Sequence, residues 1–248
     1  MSTEFLVNLA FGAAAGGFIN GLAGFGTALF ALGFWLQIMP PAQAVSVVVI
    51  VSIISGLQGV WLVRASIMDQ PRRLVRFLLP ALIGVPLGVA ALSILEPTVM
   101  KIIIAAFLIL YGGFFTLRSA LPKLEHPTPI IDASVGFMGG VLGGAASLSG
   151  ALPTMWCAMR PWPKAETRAV LQPFNVVVLG FAALVFAFKG AYTLQTLTLI
   201  VIALPVTMLF AQLGITIFKR LSDDQFRRLL IAMMLVSGVI LMARELLG

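Results

Sequence analysis

Asn20, Thr27, Ser147, Ser149, Gln172 and Asn175 stand at or near glycine or proline inside otherwise apolar runs. Their amides and hydroxyls donate hydrogen bonds without carrying charge. The glycines among them, Gly21, Gly24, Gly26, Gly144 and Gly150, let a ligand approach main-chain N–H groups with no Cβ in the way. Such a set suits a small anion, above all where a helix begins and its first N–H groups and dipole face the ligand. Other chemistry is poorly provided for. The nine acidic residues (Glu4, Asp69, Glu96, Glu125, Asp132, Glu166, Asp223, Asp224 and Glu245) fall at the ends of apolar spans or between them, and no Lys or Arg falls at a span centre. Buried ionisable groups, the usual signature of proton relays and ion coupling, are therefore not expected. The lone His126 lies in the loop LPKLEHPTPI and Cys157 is the lone cysteine, so neither a metal site, a cofactor nor an internal disulfide is expected. SLSGA, Ser147 to Ala151, has the look of a serine-nucleophile motif, but no histidine or intramembrane lysine can serve as its base.

The elements that position these groups follow from composition. The chain is 60% hydrophobic and 10% charged, with a mean hydropathy of +1.07. A soluble domain carries about 25% charged residues, so this is an integral membrane protein, all-α in class. Apolar stretches long enough to cross a bilayer recur at Phe5–Phe34, Ala44–Val63, Leu74–Leu95, Val99–Leu117, Ile131–Met159, Ala169–Phe188, Leu194–Phe218 and Arg227–Leu247. The start MSTEF has no basic region and no small-residue cleavage site follows it, so a removed signal peptide is not expected. Trp35, Trp61, Trp156 and Trp162 lie near span ends, as an interfacial belt predicts; Trp156 stands apart because it directly follows a glycine-rich motif. The net charge of +7 sits in short loops, where it sets orientation and does not bind nucleic acid.

The second half echoes the first at an offset of 123 to 126 residues. GGFINGLAGFGTAL, Gly16 to Leu29, lines up with GGVLGGAASLSGAL, Gly139 to Leu152. Gly16, Gly17, Gly21, Ala23, Ala28 and Leu29 all meet identical partners. Later, PLG at Pro86–Gly88 meets QLG at Gln212–Gly214, and Gly112 meets Gly238. The reading is one repeat over residues 1–118, a Pro-rich cytoplasmic linker over 119–130, and a second repeat over 131–248. Each repeat holds one long Gly-rich segment and three ordinary spans.

Loop charge fixes the relative orientation. If Ile131–Met159 crosses once, Lys and Arg divide eight to eight between the two sides. If it turns back as a hairpin or re-entrant loop, the division becomes thirteen to three, with Lys101, Lys189 and Arg244 alone outside. The positive-inside rule selects the second arrangement and makes the repeats inverted. Each glycine disfavours a helix interior by about 1 kcal/mol, so the glycines mark a break near the middle of each long segment. Non-helical backbone at membrane depth persists only where protein buries it or where it lines a cavity. Paired broken segments in inverted repeats point to a transporter's binding site.

At these residues the sequence resembles the sulfite exporter TauE/SafE family, also called the 4-toluene sulfonate uptake permease family. The family pattern, roughly GxxxGxxGxGGGxxxxPxL, occurs once in each half, as GFINGLAGFGTALFALGF and as GGVLGGAASLSGALPTMW. The family's GGG is FGT at Phe25–Thr27 and LSG at Leu148–Gly150. Its proline is present at Pro153 and replaced by Phe30 in the first copy. The resemblance runs over nearly the whole chain and implies a multi-pass carrier in the cell membrane (inner or plasma membrane). Its substrate would be a small oxyanion such as sulfite, an organosulfonate or a small carboxylate.

Expected partners are thus a small anion and the lipid bilayer, and a homo-oligomer is compatible with the sequence. A passive anion channel, an intramembrane enzyme and a membrane scaffold are the competing classes. Saturable flux separates a carrier from a channel, the missing base argues against the enzyme, and duplicated broken helices exceed what a scaffold needs.

Overall fold

The computed structural model describes residues 2–91 and 124–247, with single positions 98, 102, 105, 106, 109, 110, 113 and 116 between them. Apart from those positions, the expected span Val99–Leu117 lies outside the described residues, as do Gly112 and residues 119–123 of the linker. Among the described residues every regular element is a helix. They are α1 Thr3–Ala23, α2 Thr27–Trp35, α3 Pro41–Leu62, α4 Arg64–Asp69, α5 Pro71–Ala91, α6 Pro129–Ala146, α7 Ala151–Ala158, α8 Lys164–Phe188, α9 Leu194–Arg220 and α10 Asp223–Leu247.

Local sequence sets the helix starts. Ser2 and Thr193 cap α1 and α9 through their hydroxyls, which accept from Phe5 N–H and Thr196 N–H. Pro41 and Pro129 occupy first-turn positions where no N–H is required. Ser222 and Gln225 form a reciprocal capping box ahead of α10. Among the described residues five helices are long and apolar enough to cross a membrane, and the apolar α6 is shorter. Their outer faces suit lipid: Ile202, Leu209 and Leu213 are exposed along α9, seven and four residues apart and so on one stripe. A contiguous apolar face of that size would be a liability in water.

Each Gly-rich segment is a helical hairpin. α2 folds back along α1, with Thr27 and Ala31 beside Gly16 and the indole of Trp35 beside Gly12. α7 folds back along α6, with Pro153 beside Gly139 and Ser149 beside Gly143. The reversal falls later than the middle of each segment, so the arms are unequal. α1 alone, at 1.5 Å per residue, is about 31 Å long and could cross by itself.

Small residues let two helix pairs approach backbone to backbone. Gly17 and Gly21 lie against the main chain of Thr207 and Ala211 on α9, and a Cβ at either glycine would overlap those carbonyls. Gly140 and Gly144 lie in the same way against Ala81 and Val85 on α5. The sequence offsets of 123 and 126 carry one set of contacts onto the other. Each hairpin thus packs in parallel along the third span of the opposite half.

α8 gives the directions. Asn20 meets Gln172 while Leu22 meets Arg168, so α1 runs antiparallel to α8. Gly139 meets Phe174 and Gly143 meets Val178, so α6 runs parallel to it. One end of the bundle gathers the basic residues. There Arg73 pairs with Glu166, Arg227 Nη2 donates to the Arg160 carbonyl at 2.9 Å, and Lys164 Nζ donates to the carbonyls of Phe218 and Lys219 at 3.1 Å.

Candidate functional site

The tip of the first hairpin is built by two left-handed glycines. Gly24 has φ +88° and returns its N–H to the Asn20 carbonyl at 2.8 Å, closing α1; Gly26, at φ +93°, starts α2. A side chain at either position would be strained in this conformation. The second tip solves the same problem without glycine. Ser147 takes φ +58° and its N–H bonds the Gly143 carbonyl, the αL closing motif, while Leu148 N–H reaches back to the Leu142 carbonyl. A non-glycine residue there costs roughly 1–2 kcal/mol. At the 123-residue offset Gly24 and Ser147 are equivalent, so both repeats place their left-handed turn at one position.

The two tips touch. A Cβ at Gly150 would lie 2.5 Å from the Phe25 Cβ, so the starts of α2 and α7 converge with their free N–H groups and positive dipole ends. A string of buried polar side chains backs them. Asn20 Nδ2 donates to Ser55 Oγ at 2.8 Å and to the Ser52 carbonyl at 3.1 Å. Gln172 Nε2 donates to Asn20 Oδ1 at 3.4 Å, and Ser149 Oγ donates to Asn175 Oδ1 at 2.6 Å. Gln172 and Asn175 are three residues apart and share one face of α8, one turned to each tip. The hydroxyls of Thr27, Ser147 and Thr154 are buried with no protein partner. In hydrocarbon an unpaired hydroxyl is costly.

Asn20, Gly24, Gly26, Thr27, Ser147, Ser149, Gly150, Gln172 and Asn175 are thus brought to the two tips and to the helices that back them. Gly21 and Gly144 are not. Their Cα faces press on the main chain of Ala211 and Val85 instead. Trp35 is no belt residue either: it is fully buried, and its Nε1 donates to the Leu9 carbonyl at 3.0 Å. Trp61, largely exposed beneath the Arg64 guanidinium, does fit an interfacial position.

The expectation that no ionisable group is buried fails in two places. Asp132 and Arg160 form a buried ion pair of 2.9 Å, with Trp156 Nε1 donating to the same carboxylate oxygen at 2.7 Å. Arg160 also donates to Thr128 Oγ1 and to the His126 carbonyl, tying the chain before α6 to the end of α7. The second case is Arg168, which is fully buried. Its Nη2 donates to Gln172 Oε1 at 3.0 Å and its Nη1 to the Leu22 carbonyl at 3.4 Å, while the guanidinium lies 4.3 Å from the Phe218 ring centre. Position in the chain hides this. Arg168 is in the second turn of a span, where a long side chain normally extends to the water; here it runs inward. The i, i+4 spacing of Arg168 and Gln172 in RAVLQP was the available signal.

No curated protein and no solved structure matches this chain. Residues 9–241 match the family model described as Sulfite exporter TauE/SafE. That match covers the second hairpin, the first from residue 9 onward, both helix–helix zippers and every residue of the tips, and the all-helical membrane fold agrees with it. The chain belongs to the sulfite exporter TauE/SafE family of membrane transporters.

Proposed function

We propose that this chain exports a small oxyanion across the cell membrane, holding it where the two hairpin tips meet. The observation that carries this reading is the convergence of two half-helix N-termini on buried hydroxyls that no protein group satisfies. Main-chain N–H groups of α2 and α7 bind the oxygens, Thr27 and Ser147 add hydroxyl donors, and Asn20, Ser149, Gln172 and Asn175 hold the tips in place. Gly24, Gly26 and Gly150 keep the approach clear of side chains. Donors of this kind bind weakly enough to release the ion.

The two repeats are inverted in this account. The opposed directions of α1 and α6, and the basic residues gathered at one end, support it. A carrier then works by rocking one half against the other around the shared tips. The test is a thermal-shift screen of purified protein against sulfite, sulfate, sulfoacetate, taurine and acetate at constant ionic strength. At least one oxyanion should raise the melting temperature along a saturating curve set by mass action. A flat response to every anion contradicts the reading.

A further inference from the structure

Arg160 and Arg168 are equally hidden, and their surroundings differ in one respect. Arg160 has a carboxylate at 2.9 Å. Among the described residues no carboxylate lies within ion-pair distance of Arg168. Its neighbours are neutral: the Leu22 carbonyl, the Gln172 amide oxygen and the Phe218 ring. Its Nε, like that of Arg160, is buried and has no partner, but here no carboxylate balances the charge. A guanidinium out of water and unpaired is among the most costly groups a fold can hold, at several kcal/mol after relaxation.

The surroundings keep this group confined. A Cβ at Gly59 would stand 2.9 Å from Arg168 Nη2, and one at Gly24 would stand 3.7 Å from Arg168 Cγ. The side chain therefore lies between the backbone of α3 and the tip of the first hairpin. Along α8, Arg168 is seven residues nearer the basic end than Asn175, or about 10 Å at the helical rise. Arg168 therefore stands between the basic end and the tips.

We propose that Arg168 is the fixed charge of the oxyanion path, its unpartnered Nε edge pairing with two oxygens of a sulfite, sulfonate or carboxylate group. A planar guanidinium fork matches such a pair of oxygens and discriminates against a spherical halide. The inference rests on the oxyanion-carrier reading and adds the charge partner that neutral donors leave out. The competing role is structural: Arg168 would merely cap the last carbonyls of α1 and stack on Phe218.

The experiment measures sulfite, methanesulfonate and chloride binding to the full-length protein by titration calorimetry, with melting temperature recorded for each unliganded variant. Wild type should bind both oxyanions in preference to chloride. Arg168→Gln keeps a donor for the Leu22 carbonyl and removes the buried charge. It should melt no lower than wild type and bind either oxyanion at least about tenfold more weakly, as expected for loss of a charge-assisted bond. Arg168→Lys keeps the charge without the fork, so it should bind with intermediate affinity and lose part of the preference over chloride. Arg168→Gln with wild-type affinity would overturn the proposal. If Arg168→Gln does not fold, Arg168→Lys decides, and wild-type affinity and selectivity there would overturn it. Absence of oxyanion binding by wild type would instead bring down the carrier reading itself.

Discussion

Ser147 is held in a conformation that glycine occupies at the equivalent position of the other repeat. Its strain of roughly 1–2 kcal/mol and its buried, unpartnered hydroxyl both fit the proposed role as an oxyanion donor. Ser147→Gly should therefore raise the melting temperature while weakening oxyanion affinity. Unchanged affinity in the variant would remove Ser147 from the site. Gly150→Leu should abolish transport with membrane insertion intact, because its Cβ meets Phe25 at 2.5 Å and forces the tips apart; flux and folded yield measured on one preparation separate the two effects. The polar tip residues were legible in the sequence because amides and hydroxyls beside helix breakers are rare in lipid-facing helices. Arg168 was not. Its number places it near a loop, and only its contacts with the Leu22 carbonyl at the end of α1 and the Phe218 ring on α9 reveal a side chain turned inward.

The hairpin is the element that makes a site from weak helix formers. Its glycines divide into two kinds that composition cannot tell apart. Gly24 and Gly26 serve the turn, whereas Gly17, Gly21, Gly140 and Gly144 serve contact between helices. Gly140→Leu should reduce the amount of folded protein, since its side chain would enter the Ala81 main chain. The little protein that does fold should keep its oxyanion affinity. Comparison with Gly150→Leu by size-exclusion chromatography and binding distinguishes packing from site. Helix positions were readable to within a few residues, because twenty-residue apolar runs leave little choice. The reversal at each break was not readable from glycine alone, as an interrupted crossing needs the same residues; loop charge pointed to it. The short α4 gave no signal.

At the scale of the molecule, the account joins opposed hairpins to an electrical driving force. The basic end should face the cytoplasm, so cysteines introduced at Arg72 and Arg220 should react with an impermeant maleimide from one side and a cysteine at Lys189 from the other. Cys157 is buried and should stay silent. Labelling of Arg72→Cys and Arg220→Cys from opposite faces would contradict the inverted arrangement. Asp132 is the one buried carboxylate among the described residues, and Arg160 neutralises it. Among the described residues that leaves no buried, unpaired carboxylate of the kind that carries a proton. An anion leaving a negative interior gains about 2.3 kcal/mol per charge at 100 mV, which suffices for export without a cation partner.

The most direct test is sulfite efflux from proteoliposomes containing the full chain, with the membrane potential clamped by a potassium gradient and valinomycin. The account predicts saturable efflux driven by potential alone, insensitive to sodium and to a proton gradient, and lost in Gly150→Leu. Flux that rises linearly without saturation, or uphill accumulation that requires a proton gradient at zero potential, would contradict it.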